Sequence, residues 1–420
     1  VTRVRRIGRA TFSSLKNRNY RLYFTGQIIS VSGTWMQRLA QAWLILTLTN
    51  NNGFALGVES GLQFLPMLLF GAWGGVIADR FDKRRILYAT QIAAGLLAFG
   101  LGVIVAAGAA TVFLDYLFSV ALGFVNVFDN PARQTFVMEM VGREDLPNAV
   151  GLNSVVMNSS RIVGPAVGGI VIKFIGLAPC FFLNAASYVA VLAALRMMRA
   201  AELRPVPVVA RAKGQLRDGF RYVWSDRLVR TPLIMMAVIG TLAFNFQVVI
   251  SLMATKTFGL DAGGLGALLS VMGAGAVLGA LAAASRRGVS YRRLLSLTYA
   301  MGAAIMFAAV APTLVTEIVA LFVMGAASFA FIAVANTTLQ LTSRPDMRGR
   351  VMALYSIAFL GSTPIGSPII GWVSAVWGPR VGFAVGGVAA LAAGAVASYS
   401  LSRARGERER AHPPVAVPAA

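Results

Sequence analysis

Arg38, Asp129 and Arg161 each fall within a long apolar run. A charge at such depth costs about 2.5–3.5 kcal/mol on insertion scales and defaults to function. Their neighbours are polar too. Gln37 and Gln41 flank Arg38, Asn126 stands one helical turn before Asp129, and Asn158, Ser159 and Ser160 lead into Arg161. Guanidinium, carboxyl and amide groups at helical spacing describe a polar hollow inside an apolar body. Such a hollow suits a small molecule with an anionic or polar group. Asn245, Gln247, Asn336 and Gln340 extend it, uncharged, into the second half of the chain. Burial favours the neutral form of a carboxyl group, so Asp129 is also the candidate proton carrier. The competing reading is a structural ion pair between helices, with Arg38 snorkelling to an interface. Glu59, Asp115 and Glu317 stand near helix ends and read as interfacial.

Other chemistry is poorly supplied. The chain has one cysteine, Cys180, and one histidine, His412. That excludes a disulfide framework and a Cys/His metal site. No G-x-x-x-x-G-K-[ST] loop occurs, and no nucleophile–base constellation suggests an enzyme. No cofactor or metal is expected.

The elements that must position these residues follow from composition. The 420 residues are 57% hydrophobic and 13% charged, with mean hydropathy +0.70. A soluble chain carries about 25% charged residues. Apolar runs of about 20 residues read as membrane-spanning helices. Twelve are expected, over residues 20–48, 54–78, 86–108, 112–133, 147–173, 179–199, 230–256, 263–285, 291–310, 313–340, 347–376 and 379–402. The fold class is therefore an all-α integral membrane protein. The net charge of +22 could point to nucleic acid, but its placement excludes that partner. On this topology 33 of the 38 Lys and Arg residues fall on one face, and only Lys173, Lys256 and Arg380 on the other. The positive-inside rule then puts both termini in the cytoplasm of a bacterial inner membrane, with the basic loops against anionic lipids.

The sequence repeats at half its length. Gly71 and Gly75 match Gly275 and Gly279 at an offset of 204; Arg143 and Asp145 match Arg344 and Asp346 at 201; Gly164, Gly169 and Gly176 match Gly366, Gly371 and Gly378 at 202. Two pseudo-symmetric six-helix bundles follow, as in transporters with parallel repeats. The expected organisation is a basic arm (1–19), an N-terminal bundle (20–199), a linker (200–229), a C-terminal bundle (230–402) and a disordered tail (403–420). In the linker, Leu216, Phe220, Val223, Trp224 and Leu228 recur at helical spacing among basic residues, as in an amphipathic helix on the membrane surface.

Between the second and third spans runs "GGVIADRFDKRR". Gly75, Asp79, Arg80, Arg84 and Arg85 fit the G-x-x-x-D-R-x-x-x-R-[RK] signature, and the chain resembles the major facilitator superfamily. In the fifth span Gly164, Pro165, Gly168 and Gly169 match the G-P-x-x-G-G signature of proton-driven drug exporters. "NFQVVI", "RGRVMALY" and "TPIGSPIIGW" are similar to the branch that holds enterobactin-exporter-like and macrolide-efflux-like proteins. The resemblance covers residues 12–402 and implies the major facilitator fold. It also implies gating roles for Gly75, Asp79, Arg80 and Arg84, with Asp79 against the N-terminus of the eleventh span, where a helix dipole favours a carboxylate by about 0.3–2 kcal/mol. Gly164, Pro165, Gly168 and Gly169 are implied to form a second gating contact, toward Gly275 and Gly279 of the eighth span, that limits leak on the cytoplasmic side. One departure stands out: where proton-driven exporters carry an arginine four residues before a glycine of the fourth span, this chain has Ser119 before Gly123.

The reading that results is a monomeric secondary transporter exporting a small amphiphilic molecule (a drug, siderophore or secondary metabolite) with protons as the coupling ion. An uptake permease of the same fold and a non-transporting membrane sensor are the alternatives.

Overall fold

The computed structural model describes residues 13–204, 215–285, 290–359 and 361–411. The first twelve residues of the basic arm, the Pro-bearing stretch 205–214, the basic loop residues 286–289 and the tail from His412 lie outside the described residues. Among the described residues the chain is helical, with no strand.

The N-terminal half consists of α1 (Arg18–Leu48), α2 (Gly53–Arg80), α3 (Lys83–Ala106), α4 and α5, and α6 (Ala178–Met197). Here α4 (112–141) and α5 (143–174) are two limbs of one helical stretch, Val112–Phe174, broken at Gly142. Gly142 has φ +74°, a left-handed conformation that glycine adopts without strain, and Arg204 packs where a side chain would stand. A short surface helix, α7 (Gln215–Ser225), leads to the second half. That half is α8 (Arg227–Leu242) continued by α9 (Phe246–Leu252), then α10 (Ala262–Ala284), α11 (Tyr291–Val310), α12 (Leu314–Thr342), α13 (Arg348–Phe359) continued by α14 (Thr363–Trp377), and α15 (Pro379–Ala411). Counting α8–α9 and α13–α14 as one span each gives six spans per half. The last helix continues to Ala411, past the expected end of the twelfth span at residue 402.

Helix starts follow local chemistry. Asn17, Asn52, Asp82, Thr111, Asp261, Ser290 and Thr313 cap seven of them, each accepting from backbone N–H groups that would otherwise lack partners. Ten described helical segments are long and apolar enough to cross a membrane, and Val112–Phe174 supplies two crossings. The span outside that set is α1, made polar by Gln27, Gln37, Arg38 and Gln41.

The repeat is visible as packing. Gly164 of α5 lies on Ser32 and Trp35 of α1, and its counterpart Gly366 of α14 lies on Thr241 of α8. Gly169 lies on Gly263 and Gly266 of α10, and its counterpart Gly371 on Gly53 and Gly57 of α2. Each half thus lends one glycine-bearing helix to the other. We call the end holding the α2–α3 turn and α7 the basic face. Every described glycine that abuts the opposite half lies between the far face and mid-depth. At that far face Ala42, Ile45, Leu46, Leu56, Val248 and Leu252 form one buried apolar cluster across the two halves, and Lys173 Nζ pairs with Asp261 Oδ2 at 2.9 Å.

Candidate functional site

A cavity of about 170 Å³ opens within the N-terminal half. Gln37, Arg38, Gln41, Asn126 and Asp129, five of the expected site residues, line it together with Trp35, Phe64, Arg133, Asn184 and Tyr188. It is formed because α1 carries its polar residues on the face turned toward α4 and α6. There the amides bond each other: Asn184 Nδ2 donates to Gln37 Oε1 at 2.5 Å, and Gln37 Nε2 to Gln41 Oε1 at 3.4 Å.

Asp129 is not a free acid. Thr90 and Gln91 both donate to its Oδ1 at 2.8 Å, and Arg133 donates to its Oδ2 through Nε at 2.9 Å and Nη2 at 2.5 Å. Arg133 also donates to Gln27 of α1. The ion pair present is intrahelical, Asp129 with Arg133 four residues on in α4, and it engages the carboxylate expected as the proton carrier. The apolar run of the fourth span stops at Arg133, but α4 continues to residue 141, placing Arg133 one turn after Asp129 inside the helix. A second buried pair joins Lys83 to Glu139 at 3.1 Å.

Arg38 and Arg161 differ. Their guanidinium carbons stand 4.8 and 5.3 Å from the centre of the same indole, Trp35. Arg161 also lies 4.4 Å from the ring centre of Phe329 on α12, in the other half, and Arg38 lies 5.7 Å from Phe64. Among the described residues neither guanidinium makes a salt bridge, and the Nε of Arg161 is buried without a hydrogen-bond acceptor. Arg38 and Trp35 line the cavity and Arg161, outside its lining, shares the indole; cations held by aromatic faces and without a salt bridge form a slot that can bind an anion. Arg38 does not snorkel. Trp35 is three residues before Arg38, one helical turn, which is the only sequence signal of its role; Phe329 had none.

The amides of the C-terminal half are not gathered at this slot. Asn245 is buried, donating to Thr241 O and accepting from Ser367. Gln247 reaches across the halves to the carbonyl of Arg38 at 3.2 Å. Gln340 donates to Asn336 at 2.6 Å, and Asn158 to Ser154 O at 2.8 Å. Asn245, Gln340 and Asn158 each spend a donor on a local partner, Gln247 spends one across the halves, and Asn336 accepts. Glu59, Asp115 and Glu317, expected at interfaces, are buried instead at 4%, 1% and 0% exposure.

The expected gating residues divide. Arg84 donates to the carbonyls of Leu195 and Met198, closing the C-terminus of α6 within its own half. Arg80 is exposed and Asp79 is half-buried in the last turn of α2. Gly74, beside Gly75, is a close-approach glycine: a side chain there would meet Val127 O of α4. Gly164 and Gly168 pack on α1, while Gly275 and Gly279 pack on Phe322 and Ala326 of α12. The expected pairing of these four glycines does not form, because the helical twist turns Pro165 and Gly169 toward α10. Gly266 sits against Pro165 O, Gly273 against Arg161 O, and Ser270 Oγ donates to Ile162 O at 2.7 Å. This contact lies from the far face to mid-depth, not on the basic side. Outside the spans, the carboxyl of Asp261 is held below its usual range, chiefly by the Lys173 hydrogen bond and next by the N–H of Gly264.

Comparison with known proteins gives consistent matches. The profile of the transmembrane secretion effector family matches residues 9–418. The enterobactin exporter EntS of Salmonella typhimurium is 23% identical over 404 residues, covering 94% of this chain and 95% of that protein. The staphyloferrin A transporter of Staphylococcus aureus is 26% identical over 169 residues, 38% of this chain and 42% of that protein. Among solved structures, a bacterial homolog of the human lysosomal transporter Spinster superposes with TM-score 0.71 at 15% identity, covering 92% of this chain and 98% of the other. The nucleoside transporter NupG superposes with TM-score 0.72 at 12% identity, covering 91% of this chain and 99% of the other.

Proposed function

We infer, since the chain belongs to the transmembrane secretion effector family and is a multi-pass major facilitator transporter, that it exports an amphiphilic small molecule bearing an anionic group. The observation that carries this reading is the pair of guanidinium groups, Arg38 and Arg161, that share the Trp35 indole and make no salt bridge among the described residues. Guanidinium forks suit carboxylate and other planar oxyanions, and the indole and Phe329 add apolar surface for the rest of the molecule. The cargoes named for two relatives, enterobactin and staphyloferrin A, support a siderophore or a related metabolite.

The contacts support alternating access. The halves meet from the far face to mid-depth, so the slot communicates with the basic face in this state. The positive-inside rule makes that face cytoplasmic. Asp79 then serves the other state: at the end of α2 it is placed to accept from the N-terminus of α13 when the cytoplasmic side closes. Proton antiport supplies the driving force. Stacked Phe220 and Trp224, both exposed on α7, lie at the lipid surface beside Arg221.

The test is secretion of enterobactin by a bacterium deleted for its own exporter, with and without a protonophore. The parent chain should restore secretion and the protonophore abolish it. Arg38→Ala should secrete far less at equal membrane abundance. Parental secretion by Arg38→Ala overturns the anion slot, and accumulation of the compound inside the cell overturns export.

A further inference from the structure

Toward the far face lies a second polar cluster that the cargo slot does not use. Glu59 of α2 and Asp115 of α4 are buried together, within electrostatic reach of one another. Glu59 is well supplied with donors: Ser119 Oγ gives to Oε1 at 3.1 Å and Ser60 Oγ to Oε2 at 3.2 Å. Among the described residues neither oxygen of Asp115 has a hydrogen-bond partner. The nearby donor is the Gln41 amide, which stands close to Asp115 but gives its aligned N–H to Ser119 at 3.3 Å. A buried carboxylate without donors is not sustained as an anion; a proton removes the cost.

From Glu59 a single line of hydrogen bonds leads to the cavity. Asn184 donates to Gln37, Gln37 to Gln41, Gln41 to Ser119, and Ser119 to Glu59. Every link donates in the same direction, toward the carboxylate. All the side chains are buried, and Asn184, Gln37 and Gln41 line the cavity.

We propose that Glu59 and Asp115 form the coupling-proton site, and that Ser119, Gln41, Gln37 and Asn184 report its occupancy to the cavity wall. Resting on the proton-driven reading above, this assigns the site and its wiring. In the present state Asp115 carries a proton and Glu59 is the accepting end of the line. A hydronium ion from the far side gives a proton to Glu59: one O–H bond forms, one breaks, and water remains. No electrons move. Protonation on Oε1 turns that oxygen from acceptor to donor, so the Ser119 hydroxyl turns its proton away from Glu59 toward another acceptor, and the amide line behind it loses its fixed direction. Release to a water on the other side restores the line. The charged and titratable groups facing the pair are Arg38 from α1 and Tyr116 on α4. Ser119 stands where proton-driven exporters carry an arginine, and here it is the joint between acid and amides.

Infrared difference spectroscopy of the purified full-length chain, titrated with alkali and with no cargo present, tests the site. A protonated-carboxyl C=O band should be present at neutral pH and vanish on titration. Glu317, also buried without a partner among the described residues, could contribute, so the band must survive in Glu317→Gln. It should also survive in Asp129→Asn and be lost in Asp115→Asn. Glu59→Gln should alter its titration. No band in Glu317→Gln, or an unchanged band in both Asp115→Asn and Glu59→Gln, overturns the proposal. Loss of the band on adding sodium at constant pH overturns it as well, by showing a metal cation site. If Asp115→Asn does not fold, the band in otherwise unaltered chain and in Glu317→Gln still decides. Ser119→Ala should keep the band but lose the effect of a proton gradient on secretion; an unaltered gradient effect refutes the wiring. A wrong cargo leaves the infrared result untouched, so the two failures are distinct.

Discussion

Removing Arg161 should separate cargo binding from stability. Its guanidinium rests on Phe329 at 4.4 Å and Trp35 at 5.3 Å and makes no salt bridge among the described residues. Truncation to alanine forfeits two desolvated cation–π contacts, about 2 kcal/mol each. Against that, it removes a buried charge whose desolvation costs several kcal/mol and leaves no carboxylate orphaned. The two effects offset, so the melting temperature in detergent should stay within about 4 °C of the parent. Cargo binding should fall much more. Losing charge-assisted hydrogen bonds to an anionic group costs about 1.5–3 kcal/mol, a factor of about 10–150 in affinity. Arg161→Lys keeps the charge but not the planar fork and should fall between. Melting temperature and secretion are measured side by side on Arg161→Ala and Arg161→Lys. If both variants melt far below the parent while the folded fraction secretes at the parental rate, Arg161 braces the two halves and the slot assignment is wrong.

Asp129→Asn should do the reverse, since it strands Arg133 in the interior. A loss of about 3–5 kcal/mol is expected, read as a large drop in melting temperature, and a parental melting curve refutes the ion-pair assignment. Gly266→Leu should hinder closure of the far face, because a Cβ there already collides with Pro165 O; overpacking costs about 1–3 kcal/mol. Gly151→Leu, with nothing within 4 Å of its Cβ position, is the tolerated control, and equal crosslinking of cysteine pairs across α5 and α10 in both variants counts against a gate. Asp79→Asn should insert normally and secrete little; normal secretion removes the latch. Asp261 is held below its usual value of about 3.9. Its contribution is thus complete above that value and lost only as pH falls through the lowered one. Crosslinking at the far face should therefore not change between neutral and mildly acidic pH, and a change in that window contradicts the assignment.

The sequence alone determined the class, the number of spans, the half-length repeat and the family resemblance. These depend on patterns that any twelve-span chain must carry: apolar runs as long as a bilayer is thick, basic loops on one side, and glycines where backbones touch. It also marked Gln37, Arg38, Gln41, Asn126 and Asp129, since polar groups in apolar runs are conspicuous, and the cavity gathers all five. What it could not supply was partnership. Asp129 and Arg161 look alike as intramembrane charges, yet one is spent on Arg133 and the other on aromatic rings. Glu59 and Asp115 stand near helix ends and read as interfacial, and only the packing of α1, α2 and α4 shows them buried. Gly164 and Gly169 share one motif, but five residues of helical twist send the first to α1 and the second to α10. Partner choice depends on the rotation of each helix about its own axis and on residues far apart in the chain. Neither is encoded in local spacing, so the tertiary structure decided which charges pair, which stay available, and which face the halves close.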